Sequence, residues 1–449
     1  VSTVGIHEIG EMIRKIRKER GLRIDDVADE NISPATISNL ERGVPHVKQE
    51  KLTYLLEKLN VSMEKLPQLM VSEQKKLEEV RFKLCAIESM ERIGQTHQAL
   101  LELDQLEKPD DHPYAAEIYW LKGICCMNEK NYRRAERELT NALRLSGQNP
   151  LAQAENIEAL SFNALSVCSY YRDDLHTALK YTENGLQVFN SEGGRRYGKY
   201  LLTLNKALYL ERLDRIMDGM KVVEEVWKEM DQIEKIDTIL GFYCLRAELL
   251  RKSGSLDSAI HYGQMGRKLA SLNDKPRYVF DLWIVLGSTY TAKMDFAKAE
   301  MCFQIAMSVP EEYRGNGRYI RACIQMGSLY IQLEKWTEAE EVLQTAIDKS
   351  EAINSPYNLA ASSISLGVCF FKQNRIDEAI SCYHCGIGLA RQYGYPEKEY
   401  QGWYQLAKCY KGRDEEQFQR CTVHMFNVQD RLNDPLGTVN DHEVSEKIW

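Results

Sequence analysis

Proline is scarce in this 449-residue chain, with 11 in all, and no run approaches the roughly 18 consecutive apolar residues that a membrane span needs. The first lack removes the commonest helix breaker, and the second excludes a membrane-spanning helix. A dominant charge is also missing: 58 Lys and Arg meet 66 Asp and Glu, a formal charge of -8, so the chain as a whole is no polycation for coating nucleic acid. Residues Val1 to Gly10 lack the basic and then apolar pattern of a secretion signal, and a cytoplasmic location is expected. There is no Walker loop, no His-Glu-x-x-His, no Gly-x-Ser-x-Gly and no glycine-rich dinucleotide turn. Neither a catalytic residue nor a metal or cofactor is expected. Cys382 and Cys385 form a C-x-x-C without the second pair that a zinc site needs, so both read as buried helical thiols. The 12 cysteines are scattered, as thiols of a reducing compartment usually are.

What the chain does contain is 44% hydrophobic and 28% charged residues, too much apolar surface for disorder. Leu, Ala, Glu and Lys abound, and the expectation is an all-α protein. Small residues recur at Ala207, Ala247, Gly287, Gly327, Gly367 and Ala407, each 40 after the last. Twelve positions on run Gly219, Ala259, Ala299, Ala339 and Ala379, and a bulky series runs Leu210, Leu250, Tyr290, Tyr330, Phe370 and Tyr410. Such a period marks stacked helical hairpins, whose close approach calls for small residues facing one another. The segment Trp283, Leu286, Gly287, Tyr290, Ala299, Phe303, Ala306 and Pro310 resembles the tetratricopeptide repeat. About eight or nine such hairpins are expected over 81–412, after a linker helix at 67–80. A capping helix from Glu415 to Leu432 and a tail should follow within 413–449. The resemblance implies a right-handed superhelix with a concave inner wall.

Residues 1–66 read differently. Ile9, Ile13 and Ile16 mark one helix that Gly21 stops, and Ile24 and Val27 begin a second. Ser33 is an N-cap with Pro34 at the first helical position, and Gly43 ends that third helix. Leu52, Leu55, Leu56 and Leu59 mark a fourth, and Ser62 to Leu66 a short fifth. The run from Ser33 through Thr36-Ile37-Ser38-Asn39-Leu40-Glu41-Arg42-Gly43 resembles the Cro/C1-type helix-turn-helix family, although the link Asp29 to Ile32 is one residue short and lacks the usual glycine. The resemblance implies that Pro34, Ala35, Ser38 and Asn39 face base edges while Ser33, Thr36 and Arg42 hold phosphates. The alternative is that these residues merely cap and solvate the helix. Residues 1 to 60 carry ten basic and ten acidic groups, and Arg14, Lys15, Arg17, Lys18, Arg20 and Arg23 could form a phosphate-neutralising stripe. A double-stranded DNA operator read by a homodimer, or a higher homo-oligomer, is the expected partner.

A helix-turn-helix joined to long tetratricopeptide repeats resembles the RRNPP family of peptide-pheromone receptors, in an NprR- or PlcR-like layout. The resemblance implies quorum-sensing transcription regulation by a short signalling peptide held in the concave groove. A phosphatase or inhibitor acting on a response regulator, as in the Rap branch, and a protein-interaction scaffold are the alternatives. Because an extended peptide brings unpaired backbone N–H and C=O groups, Asn and Gln on the inner helices suit it. The register places Asn163, Asn205, Glu248, Arg251, Asp281, Arg321, Gln325 and Ser328 there, with Asn163 and Asn205 the first candidates. Each could equally be an ordinary exposed polar residue. Lys206 and Arg246 stand where later copies have Leu286, Met326, Leu366 and Leu406. A cation at a core position must reach the groove or meet a carboxylate, which makes Arg246 a candidate anchor for a peptide carboxylate, unless it pairs with Glu211 or Glu248.

Overall fold

A computed structural model describes residues 6–44, 49–172, 174–308 and 317–433. Among the described residues it contains 23 α-helices and no strand, in keeping with the all-α expectation. No helix among them is long and apolar enough to cross a membrane. The chain divides into two compact units, Val1–Ala164 and Leu165–Trp449.

In the N-terminal unit, α1 (Ile6–Glu19), α2 (Ile24–Val27), α3 (Pro34–Glu41) and α4 (Gln49–Lys58) close around Ile13, Val27, Ile32, Ile37, Leu55, Leu56 and Leu59. Helix α1 crosses α3 at Gly10, where a Cβ would lie 2.5 Å from the Leu40 carbonyl oxygen, so only glycine permits the approach. The short fifth helix is not separate. Ser62 to Lys65 form a turn, and Leu66 opens α5 (Leu66–Arg92), a single helix of 27 residues whose first turn completes this core. No break in α5 marks the expected boundaries after residues 66 and 80, because buried Val80, Leu84 and Ile87 keep its apolar stripe going. Helices α6 (Thr96–Gln105), α7 (Ala115–Asn128), α8 (Tyr132–Ser146) and α9 (Pro150–Ala154) follow, and the division between units falls within α10 (Ile157–Tyr171).

The C-terminal unit continues with α11 (Leu175–Gln187) and then hairpins at the period of 40: α12 (Tyr197–Arg212) with α13 (Ile216–Trp227), α14 (Ile236–Lys252) with α15 (Leu256–Leu272), and α16 (Pro276–Ala292) with α17 (Phe296–Met307). Three more pairs are α18 (Gly317–Gln332) with α19 (Trp336–Ala352), α20 (Pro356–Lys372) with α21 (Ile376–Tyr393), and α22 (Pro396–Tyr410) with the capping helix α23 (Glu415–Asn433). Pro310 and the tail at 434–449 lie outside the described residues. The small positions work by a different rule from small facing small. A Cβ on Gly287 would come 2.8 Å from the Phe303 ring, one on Gly327 2.6 Å from Leu343, and one on Gly367 2.6 Å from Tyr383. Each hole on a first helix thus receives a bulky knob from its second helix.

The first helices touch one another from hairpin to hairpin, α12 with α14, α14 with α16, α16 with α18, α18 with α20 and α20 with α22, whereas no two second helices make a comparable contact among the described residues. The first helices are therefore the inner layer of a curved stack, and the second helices fan out behind them.

Candidate functional site

The end of α3 that a helix-turn-helix presents to DNA is set by its cap. Ser33 Oγ accepts from the Thr36 backbone N–H at 3.2 Å and lies 2.9 Å from Thr36 Oγ1, with Pro34 in the first turn. Ser33, Pro34, Ala35 and Arg42 are exposed, while Thr36, Ser38 and Asn39 are half-buried. Arg42 Nη2 donates to Asn39 Oδ1 at 2.7 Å, and Arg42 Nε to the Ser38 carbonyl at 3.3 Å. Asn39 therefore presents its amide with one lone pair of Oδ1 already engaged.

The short link before α3 needs no glycine because Asp29 closes it. Its Oδ1 accepts from the N–H groups of Asn31 at 2.8 Å and Ile32 at 3.0 Å, while Oδ2 accepts from Tyr54 Oη at 2.6 Å and pairs with Lys58 at 2.5 Å. The bonds from Lys58 and Tyr54 hold the Asp29 carboxyl well below the usual carboxylate range.

Three of the six basic residues that could form a phosphate-neutralising stripe meet carboxylates of the chain itself. Arg17 is buried and bidentate to Glu41, with Nη1 donating to the Leu22 carbonyl at 2.7 Å. Lys15 pairs with Glu73, and Lys18 with Asp111 at 2.7 Å. The Lys18 bond draws the Asp111 carboxyl below its ordinary value. Exposed Arg14, Arg20 and Arg23 remain. Spacing on a helix shows a shared face but not whether a carboxylate from another element has reached it first.

In the C-terminal unit the inner wall is a patchwork of opposite charges. Arg251 chelates Glu248 at 2.9 and 2.7 Å. Burial works against the Glu248 anion, but the bonds from Arg251 and the charges of Arg321 and Lys252 prevail and lower its pKa. Asp281 Oδ2 pairs with Arg318 at 3.1 Å, and its Oδ1 is buried without a partner. Cys244, on the neighbouring helix, is pushed well above the ordinary thiol by burial and by Asp281, with Arg318, Arg277 and Arg321 opposing. Thus Glu248, Arg251, Asp281 and Arg321, from three successive first helices, share one electrostatic neighbourhood. Gln325 and Ser328 follow Arg321 one and two turns on along α18, half-buried, with Ser328 Oγ donating to the Ile324 carbonyl at 3.0 Å. Asn205 is half-buried on α12; Asn163 is half-buried on α10 and belongs to the N-terminal unit.

Arg246 stands apart from these. Its guanidinium lies between the Trp227 and Tyr262 rings of the second helices, 4.1 and 4.2 Å from their centroids, and forms no ion pair with Glu211 or Glu248 among the described contacts. Two aromatic faces flank the cation at this core position, and its Nε and Nη1 are buried without a hydrogen-bond partner. Lys206, its counterpart 40 residues earlier, meets Glu183 at 3.1 Å.

Residues that the sequence reading missed lie at the ends of the first helices. Glu211 accepts Lys252 at 2.8 Å and pairs with Arg212 at 3.5 Å. Burial would lower the Arg212 pKa, but Tyr170, Glu211, Tyr357 and Glu248 outweigh it and raise it. Tyr357 lies on α20 and Arg212 on α12. Lys398, on α22, lies 5.5 Å from the Tyr357 ring centroid, and its pKa is lowered by burial and further by Arg212 and Lys252. Arg212 and Lys252 are themselves 40 apart, a signal the period offered; Tyr357 and Lys398 carried none. Of the C-x-x-C cysteines, Cys382 is half-buried and Cys385 exposed, so the expectation of burial fails for Cys385. No cluster that could hold a metal exists among the described residues.

A helix-turn-helix family model matches residues 13–66, and a tetratricopeptide-repeat model matches residues 320–392. Both describe non-enzymatic regulatory modules. No curated protein sequence matches the chain. Among solved structures, a Rap protein complexed with Competence and Sporulation Factor is similar with a TM-score of 0.61 and 12% identity, over 80% of this chain and 99% of that one. The apo form of the quorum sensor NprR from B. thuringiensis is similar at 0.58 and 16%, over 79% and 98%. NprR in complex with its cognate peptide NprX is similar at 0.59 and 16%, over 80% and 99%. The chain is a helix-turn-helix protein with tetratricopeptide repeats, built on the fold of Rap and NprR.

Proposed function

We propose that this chain is a transcription regulator of the RRNPP type: α3 reads a DNA operator, and a short signalling peptide bound along the inner wall of the repeats controls that reading. The supporting observation is the pairing, in one chain, of a capped α3 whose Ser33–Ala35 end is exposed with a curved helical layer lined by half-buried polar residues. The exposed end of α3 favours this reading over a response-regulator phosphatase or a scaffold. Asn39 and Ser38 contact base edges with Pro34 and Ala35, and Ser33, Thr36 and Arg42 contact phosphates. Within the C-terminal unit Asn205 serves the peptide backbone, with Arg251, Asp281, Arg321, Gln325 and Ser328 contacting its polar groups. So small a reading head makes few phosphate contacts, so the regulator works as a homodimer on a two-fold operator. A gel shift with the DNA upstream of its own gene, with and without peptides encoded beside that gene, tests the proposal. A shift that peptide alters is expected. No shift in either lane would leave the scaffold, and loss of phosphate from a response regulator would favour the phosphatase.

A further inference from the structure

The inner wall of the C-terminal unit contains charges that its own side chains do not match. Its carboxylates are engaged: Glu248 by Arg251, Glu211 by Lys252 and Arg212, and Asp281 by Arg318. Arg321 and Lys398 are among the cations that no carboxylate meets among the described residues. Arg321 has no carboxylate within 4 Å among the described residues, although it lies close enough to Glu248 and Cys244 to be felt by both. Lys398 has the Tyr357 ring and the Gln401 side-chain oxygen, at 3.3 Å, and its pKa is depressed by burial and by two further cations, with only Glu397 at its side to offset them. On the same wall, Asp281 Oδ1 is a buried acceptor that no donor reaches. Buried polar atoms in native proteins are almost always satisfied, and an exception on the wall of a groove calls for a ligand atom.

Resting on the reading of this groove as a peptide site, we propose that its occupant is an acidic peptide. A carboxylate of the peptide, from an Asp or Glu side chain or from its C-terminus, docks on Arg321, and a neighbouring peptide N–H donates to Asp281 Oδ1. A guanidinium offers a carboxylate two parallel N–H donors, and an N–H beside it completes the acceptor left open at Asp281 Oδ1. Lys398 supplies a second positive point for a further carboxylate and gains the anion that would restore its ordinary basicity. A basic peptide would meet the positive charges of Arg321, Lys398, Arg212 and Lys252.

The test uses the full chain and synthetic fluorescein-labelled heptapeptide pools in which one position at a time is fixed as Asp, Asn or Lys, read by fluorescence anisotropy. At one position or more, Asp pools should bind about tenfold or more tighter than Asn pools, and Lys pools weakest. Arg321→Gln should reduce the Asp-over-Asn preference to about twofold or less while its thermal melt stays that of the parent. Asp281→Asn should weaken binding of every pool, and Arg420→Gln, on the exposed face of the capping helix, should change nothing. Preference for Lys or Asn pools, or an Asp preference that survives Arg321→Gln, overturns the proposal but leaves a peptide receptor standing. Binding of no pool by the folded chain overturns both.

Discussion

Arg17 on α1 and Glu41 at the end of α3 form a bidentate ion pair, Nε to Oε1 at 2.5 Å and Nη2 to Oε2 at 2.8 Å, with side-chain exposures of only 9% and 5%. This pair fixes the angle between the helix that carries the remaining basic groups and the helix proposed to enter the groove. Removing one partner strands the other charge away from water. Glu41→Ala should therefore lower the stability of the N-terminal unit by about 3–5 kcal/mol in urea titration. The double change Arg17→Met with Glu41→Leu should recover most of that, because apolar replacement removes both charges together. Equal losses for the single and double variants would show that packing, not charge, is at stake.

The ion pairs of Lys15 with Glu73 and Lys18 with Asp111 hold two lysines that DNA phosphates could otherwise use. Glu73→Gln combined with Asp111→Asn should release them. Operator affinity should rise, and the slope of log K against log salt should steepen by about one to two units, near 0.9 per added phosphate contact. An unchanged slope would mean that neither lysine reaches DNA.

Asn39 is the residue of α3 best suited to a bidentate contact with adenine. Asn39→Ala should cost about 1–3 kcal/mol of operator binding and relax the preference at one base pair, measured by gel shifts on single-base variants. Arg42→Ala should instead weaken all sequences alike, as loss of a phosphate contact does. A uniform loss for both would assign Asn39 to the backbone as well.

Arg246 between Trp227 and Tyr262 should behave as a structural cation. Arg246→Ala removes both ring contacts and the buried stem and should destabilise the C-terminal unit by about 1–3 kcal/mol on thermal melting, while peptide affinity changes little. A large loss of peptide affinity without a shift in melting temperature would return Arg246 to the groove.

The capping helix is tied on by Glu399, which accepts from Arg431 at 2.8 Å, Arg391 at 3.3 Å and Trp403 Nε1 at 3.4 Å. Burial opposes its charge, but these donors prevail and lower its pKa. A carboxylate with a depressed native pKa contributes stability that is complete above the unfolded value of about 4.3 and is lost as pH falls through the native value. His424, stacked on Trp403 at 4.4 Å, is held below the ordinary imidazole value by burial and by Arg391, so its loss begins below about pH 6.5 and has the same sign. The melting-temperature gap between the parent and Glu399→Gln should be wide at pH 7 and close toward pH 3. A constant gap would rule out the carboxylate charge as the cause.

The hairpins were legible because a hole on one helix must recur wherever a knob recurs: Gly287, Gly327 and Gly367 kept their spacing of 40 and took Phe303, Leu343 and Tyr383. The turns were not. They close on left-handed residues at Asp214, Gly254, Met294, Glu334 and Asn374, again 40 apart, and although Gly254, Asn374 and Asp214 are of types that favour such a backbone, Met294 and Glu334 are not. Packing of the flanking helices imposes that conformation on these two. The α3 cap was legible because Ser33 and Pro34 act within one turn of chain. The Asp29 closure was less so, since two of its four donors, from Tyr54 and Lys58, come from α4.

What the amino-acid order determined by itself is therefore local and periodic: where helices start and stop, which faces are apolar, and how hairpins repeat, since each depends on residues within a few turns or on a fixed spacing. Only the tertiary structure decided which charges are neutralised and which remain for a ligand. Arg17 finds Glu41 across 24 residues, Lys18 finds Asp111 across 93, and Arg321 is left without a carboxylate among the described residues. Electrostatic partnership depends on distance through space across a curved stack, and no periodicity along the chain encodes it.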